Sequence, residues 1–351
     1  MTDPTTIRME IGTPPLQTAV LCRPLGGLND TLCQIEKSWS YAERFDRWLV
    51  IDTRESGLHD DFSEYFRPRD AAADVVFGLS SRPERRIAQL SPLPPGLTDA
   101  ILDMPPETFY DPADSVADRR PAQLVFDLRK PHRDRVLVRQ HAGGGDDSFR
   151  LLDKITFTET VRRAIMERLA HLEGEYSAVH VRNTDYQTDY RGFFSKLRSR
   201  VAGGQLLVCS DDAAVIAFAK RYFDSTEILQ ASPIPDSGGA PLHVKSTFAS
   251  PELRRENNLS LLTDLIALGR AKRLYITRHS RGQTSGYSRL ARHLSDNRYV
   301  INGLLGVSLY ETPRWHWRRK AWWDSLRRRA DRLRQPSVPG DNQRNGVSHA
   351  A

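Results

Sequence analysis

The chain has 351 residues, of which 39% are hydrophobic and 27% charged, enough for two domains that each bury a core. No apolar run reaches the roughly 18 to 20 residues that span a bilayer, and the opening Met1-Thr-Asp-Pro has neither the basic nor the apolar region of a secretory leader, which points to the cytoplasm. The formal charge of +7 is local: residues 314–334 hold nine Lys or Arg against two Asp, and the rest of the chain is balanced. A basic groove for nucleic acid is therefore excluded. Cys22, Cys33 and Cys209 are odd in number and lack Cys-x-x-Cys spacing, so neither a disulfide framework nor a structural zinc site is supported.

In chain order, 18–22 reads as a buried strand, followed by the turn Pro24-Leu-Gly-Gly-Leu-Asn-Asp30, a helix over about 31–45 and a second strand at 48–51. Gly26 and Gly27 stand where the backbone must turn sharply or admit a ligand. From 53 to 153 prolines and mixed charges leave no clear element, and Gly143-Gly-Gly-Asp-Asp147 reads as a surface loop. Helices are then expected over 158–172, 193–201, 213–222, 256–269 and 286–294, alternating with strands at 177–181, 205–209, 226–229 and 273–277, with a polar loop over 232–250. Such alternation marks a doubly wound α/β domain. Residues 315–333 place Trp315, Trp322, Trp323, Leu326, Ala330 and Leu333 at helical spacing beneath an arginine-rich face. This is a helix that either lies on an anionic membrane or packs its Trp face on the body. The last residues, 336–351, have the composition of a disordered tail.

Three strands end in polar clusters: His180-Val-Arg182-Asn-Thr-Asp185, Ser210-Asp-Asp212, and Thr277-Arg-His-Ser280 with Ser285 shortly after. In an open parallel sheet ligands sit outside the carboxyl ends of the strands, so a nucleotide diphosphate compound is the expected occupant. Arg182 can make two parallel hydrogen bonds to phosphate, or pair with Asp185. His180 fits a ligand contact or a core imidazole. Asp211 and Asp212 suit the first turn of a helix through its dipole, and a carboxylate also matches the paired donors of guanine. Ser285 is a helix cap or a phosphate ligand. Asp264, on a mostly apolar helix, is expected to face solvent. No P-loop, Gly-x-Gly-x-x-Gly, His-Glu-x-x-His or Gly-x-Ser-x-Gly pattern occurs, and the ten histidines show no metal-ligand spacing.

Together these stretches resemble the fucosyltransferase superfamily. His180-Val-Arg182-Asn-Thr-Asp185 is similar to its His-x-Arg-Arg-x-Asp motif, Cys209-Ser-Asp-Asp212 to its Thr-Asp-Asp motif, Thr284-Ser285-Gly-Tyr-Ser288 to its last Ser-rich motif, and Pro24-Leu-Gly-Gly-Leu-Asn-Asp30 to its Gly-rich turn. Asn183 replaces the second arginine, Tyr186 stands where some members have lysine, and 278–283 resembles an insertion. The resemblance implies a GT-B architecture, with an N-terminal acceptor-side α/β domain (1–155), a nucleotide-sugar-binding Rossmann-like domain (156–310), the basic helix (311–335) and the tail (336–351). It implies an inverting transfer, without a required metal ion or cofactor, from GDP-fucose to a hydroxyl of a glycan or glycolipid. Arg182 would be catalytic, and the donor would be held by His180, Arg182, Asp211 or Asp212, Ser285, Gly26 and Gly27; for the catalytic base, Asp185 and an N-domain carboxylate are equal candidates. The competing readings are a different nucleotide-sugar donor and a non-catalytic glycan- or membrane-binding protein on a decayed transferase fold.

Overall fold

A computed structural model describes residues 18–70, 74–78, 125–172, 174–185, 187–234, 250–278 and 282–307. The expected helix within 311–335, the tail, Tyr186 and Ser280 lie outside these residues.

Strand β1 (Ala19–Pro24) is buried along its whole length, as a strand covered on both faces must be. Val20 and Cys22 enter the main core while Ala19 and Leu21 pack with Val50 and Val76 on the opposite face, the period-two alternation of a pleated strand. Gly26 (φ +86°) turns the chain, and α1 runs over Leu28–Arg44 with Gly27 as its N-cap, three residues earlier than expected. β2 (Trp48–Ile51) then pairs parallel with β1.

The stretch without clear sequence signals contains β3 (Phe66–Pro68), β4 (Val75–Val76), β5 (Val136–His141) and nearly all of α2 (Asp147–Lys154), and β6 (Ile155–Phe157) follows it. Strands of two or three residues are too short to show a period. The first sheet has the order β4-β2-β1-β5, all parallel, and β3 pairs antiparallel with β6.

α3 (Glu159–Leu169), β7 (Ser177–Val181), α4 (Tyr190–Val201), β8 (Gln205–Ser210), α5 (Ala213–Tyr222), β9 (Glu227–Leu229), α6 (Pro251–Arg270), β10 (Arg273–Ile276), α7 (Gly286–Asp296) and α8 (Arg298–Leu304) follow. α6 starts five residues before its expected beginning, because Ser250 caps it through Leu253 N–H at 3.2 Å and Pro251 occupies its first turn. The second sheet has the order β10-β7-β8-β9, again parallel throughout. The mixed α/β class with two parallel sheets is thus as expected. No helix among the described residues is long and apolar enough to cross a membrane.

Both sheets reverse their winding at a central strand. The chain goes from β1 outward to β2 and β4, then returns to place β5 on the other side of β1. It goes from β7 outward to β8 and β9, then returns to place β10 on the other side of β7. Such reversals leave a crevice at the carboxyl ends of the strands. Gly26 and Gly27 follow β1, and Arg182 follows β7.

One continuous core spans both halves, with Leu32, Leu49 and Leu152 in the same cluster as Ile165, Ile266 and Leu290. A second cluster, including Val179, Val181, Phe194, Val208 and Phe223, covers the other face of the second sheet.

Candidate active site

β7 is an apolar strand whose alternation puts Val179 and Val181 on one face and His180 on the other, against α7. His180 is buried, its Nδ1 lies 2.7 Å from Ser288 Oγ, and its ring is 4.9 Å from that of Tyr287. Burial, with the charge of Arg182 adding to it, depresses its pKa to about 3, so the imidazole is neutral at physiological pH. Ser288 Oγ already accepts from Ser285 Oγ at 2.9 Å. The Ser288 hydroxyl thus joins Ser285 and the neutral ring in one chain of hydrogen bonds.

Just past the strand, Arg182 Nε donates to Asp185 Oδ1 at 2.7 Å and its terminal nitrogen to Oδ2 at 2.6 Å, and Asp211 stands 4.0 Å away. The pairing of Arg182 with Asp185 is thus present, at side chains that are 26% and 27% exposed, so the guanidinium sits at the crevice surface.

Asp211 and Asp212 are engaged in holding the loop after β7. Asp211 accepts Asn183 N–H at 2.7 Å and Thr184 Oγ1 at 2.6 Å. Asp212 accepts Asn183 Nδ2 at 2.8 Å and caps α5 through Ala214 N–H at 2.8 Å. Thr188 Oγ1 closes the loop by donating to Arg182 O at 2.6 Å. Asn183, the residue that replaces an arginine in the motif, is the hub of this network.

Ser285 caps α7 by accepting Ser288 N–H at 3.1 Å. The next residue, Gly286, touches the first turn of α1: a β-carbon there would lie 2.8 Å from Asn29 Cβ and 2.9 Å from its Nδ2. The amino ends of α1 and α7 are therefore brought together, and Gly27 as N-cap contributes no side-chain cap to α1. Backbone N–H groups and helix dipoles at such ends favour anions.

Gly143–Gly145 is the surface loop expected from sequence, with Gly143 and Gly144 exposed, and it is tied to α1. Gln34 Nε2 donates to Gly143 O at 2.6 Å and Asn29 Nδ2 to Gly145 O at 3.3 Å, and a β-carbon at Gly144 would come within 2.6 Å of Asp30 Oδ1. One at Gly26 would come within 2.8 Å of Asp30 Oδ2. Asp30 is held in a cradle of glycines, where burial raises its pKa while the Gly27 N–H, Arg182 and Lys37 oppose the rise. Arg182 is near enough to act on Asp30 electrostatically, which couples the loop after β7 to the first turn of α1.

Asp264 also departs from expectation. It keeps partial solvent exposure, but its carboxyl group is packed beside Cys209 and Ser232 at the ends of β8 and β9, and burial raises its pKa to about 7 against the opposing bonds from Ser232 and Cys209. Its Oδ1 is buried with no hydrogen-bond partner. A lone acid between Leu261, Leu265 and Leu268 was the sequence signal for it, and the spacing alone could not say which helix face met the sheet. Asn29 and Asp30 follow the Gly-Gly pair after Leu28, but only the return of α2 and α7 shows what packs around them. Among the described residues no cluster of His, Cys, Asp or Glu is arranged to hold a metal ion.

No protein-family model and no curated protein matches the sequence. Solved structures do. The chain is similar to NodZ alpha-1,6-fucosyltransferase co-crystallized with GDP (18% identity, 79% of this chain and 92% of that one, TM-score 0.47). It is similar to POFUT1 in complex with GDP-fucose (13% identity, 81% and 95%, TM-score 0.44), and to an Arabidopsis thaliana FUT1 in complex with GDP (12% identity, 79% and 68%, TM-score 0.47).

Proposed function

We propose that the protein is a glycosyltransferase that moves fucose from GDP-fucose, with inversion, to a hydroxyl of a glycan or glycolipid. The observation that carries this reading is the position of Arg182 at the switch point of the second sheet, in electrostatic reach of Asp30, which follows the Gly26-Gly27 turn at the switch point of the first. A diphosphate laid between the amino ends of α1 and α7 meets Arg182, the N–H groups after Gly27, and Ser285. These donors stabilise the charge that grows on the departing GDP, and they do so more strongly in the transition state than in the ground state.

His180, neutral and fixed by Ser288, borders this site. Asp211 and Asp212 serve by fixing the loop that carries Arg182. Asp185 orients Arg182. Asp30 is the base: as the bond from the anomeric carbon to the GDP oxygen breaks and the acceptor oxygen forms the new bond on the opposite face, the acceptor's proton passes to the Asp30 carboxylate. Its raised pKa moves it toward the range in which a general base works best.

Thermal unfolding with GDP, UDP, ADP and CMP tests the reading. GDP alone should stabilise the fold strongly, by about 2.7 kcal/mol at a hundredfold excess over its Kd. Arg182→Ala should lower transfer by roughly 10² to 10³. Equal stabilisation by UDP would redirect the donor assignment, and a folded Arg182→Ala protein with near-normal transfer would end it.

A further inference from the structure

Beside the crevice lies a cavity of about 450 Å³, between the start of α2 and α7 and closed on the sheet side by Ile276 and Arg278. Its volume falls in the range of small-molecule sites, roughly 300 to 1,000 Å³. Three guanidinium groups, Arg278, Arg289 and Arg292, line it against Asp146 and Asp296. Arg289 is committed to an ion pair with Asp146 that links the two halves. Arg292 gives one N–H to Leu274 O at 3.0 Å, which anchors its guanidinium to the end of the sheet. Arg278 makes no hydrogen bond or ion pair among the described residues. Once Asp146 is answered by Arg289, two cations face one carboxylate, and the cavity is electropositive.

Its other walls suit a sugar ring. Phe149 and His293 stack with ring centroids 4.1 Å apart and planes within 3°, giving a flat edge, while Thr284 supplies a hydroxyl. Ser288 also ties the cavity to the crevice, since on its other side it bonds His180 and Ser285. A ligand filling the cavity therefore lies one residue's width from the diphosphate site, and none of the residues assigned to the donor is needed to hold it.

We propose that this cavity is a subsite for a sugar unit of the acceptor bearing an oxyanion, a carboxylate or a phosphate, bound by Arg278 and Arg292. Planar guanidinium groups match both oxyanions, which explains the choice of arginine at two separate elements. The assignment to the acceptor rests on the transferase reading above, but the recognition of an anionic sugar does not.

The test uses the full chain saturated with GDP, so that the crevice is filled, and titrates it with glucuronic acid, glucose 6-phosphate and glucose. At least one charged sugar should bind about tenfold tighter than glucose, the effect expected of one charge-assisted contact. The charged sugar that shows the preference identifies carboxylate or phosphate as the group recognised. The double variant Arg278→Gln, Arg292→Gln should lose that preference while its affinity for GDP stays within about twofold of the parent protein. Equal binding of all three sugars, or a preference that survives in the double variant, overturns the proposal. Should GDP itself fail to bind, the donor reading falls, and the same titration in an Arg182→Ala background still decides whether the cavity selects an anionic sugar.

Discussion

The carboxylate of Asp211, at the end of one strand, accepts the backbone N–H of Asn183, just past the end of its neighbour, at 2.7 Å. Because Asn183 adjoins Arg182, the bond sets where the guanidinium stands, and the acid pair does its work through the loop. Asp211→Ala leaves that N–H and Thr184 without their acceptor, a loss of about 1–3 kcal/mol. Displacing Arg182 by 1 Å costs on the order of 10² in rate. We expect a lower melting temperature and transfer reduced by at least about tenfold, with Asp211→Asn intermediate because its amide oxygen can still accept from Asn183. A variant that melts early but transfers at the normal rate would show that the loop position does not matter.

Asp30→Asn separates binding from chemistry. The amide keeps an oxygen for the Gly27 N–H but cannot take a proton at neutral pH, so GDP affinity should persist while turnover falls about 10² to 10⁴. In the parent protein, transfer should decline as pH falls through the raised pKa of Asp30, since the base works only when ionised. That acidic limb should be missing from the variant's residual activity. An unchanged limb would assign the proton transfer to another group.

His180 ties stability to pH. Its folded pKa of about 3 lies below the unfolded value of about 6.5, so below pH 6.5 the unfolded chain binds a proton that the folded one refuses. Stability is intact above about 6.5 and is lost as pH falls toward 3, at about 1.4 kcal/mol per unit once well below 6.5. Asp264 and Asp61, raised to about 7, act in the opposite sense, because the folded state keeps their protons while the unfolded state has lost them. The His180 contribution is therefore read as the difference between the parent protein and His180→Phe in urea unfolding at pH 7.5 and 5.5. The parent should lose ground to the variant on acidification, and a pH-independent difference would contradict the neutral, buried ring.

Gly286→Ala probes the meeting of the two helices. Position 286 needs no unusual backbone angle, so any effect is steric: the added methyl meets Asn29 at 2.8 Å. Overpacking of this kind costs about 1–3 kcal/mol. Because the wedge pushes the amino ends of α1 and α7 apart, GDP affinity, measured by calorimetry, should fall by more than unfolding stability alone explains. A variant with parental GDP affinity would show that these ends do not share the diphosphate.

Much of the second sheet was legible in the residues. β7, β8 and β10 are apolar runs ending in polar clusters, and the helices between them carry caps and periodic apolar faces, signals that are local in sequence. The first sheet was half hidden: β1, α1 and β2 stood out, whereas β4 and β5 lie among prolines and charges, and β4 has two residues. Asp264 illustrates the limit. Its neighbours along the helix are the same whether it faces water or Cys209, and only the docking of α6 against β8 decides between them.

The sequence by itself determined that this is an α/β protein with Arg182 at a strand end, because strand period, capping and turn chemistry depend on residues a few positions apart. The tertiary structure alone decided that Arg182 acts electrostatically on Asp30, that Gly286 rests on Asn29 and that Arg278 and Arg292 share one cavity. Those relations join residues more than a hundred positions apart, or segments on either side of a turn, and they follow from the winding of two sheets and the packing of α7 against α1, which no local pattern encodes.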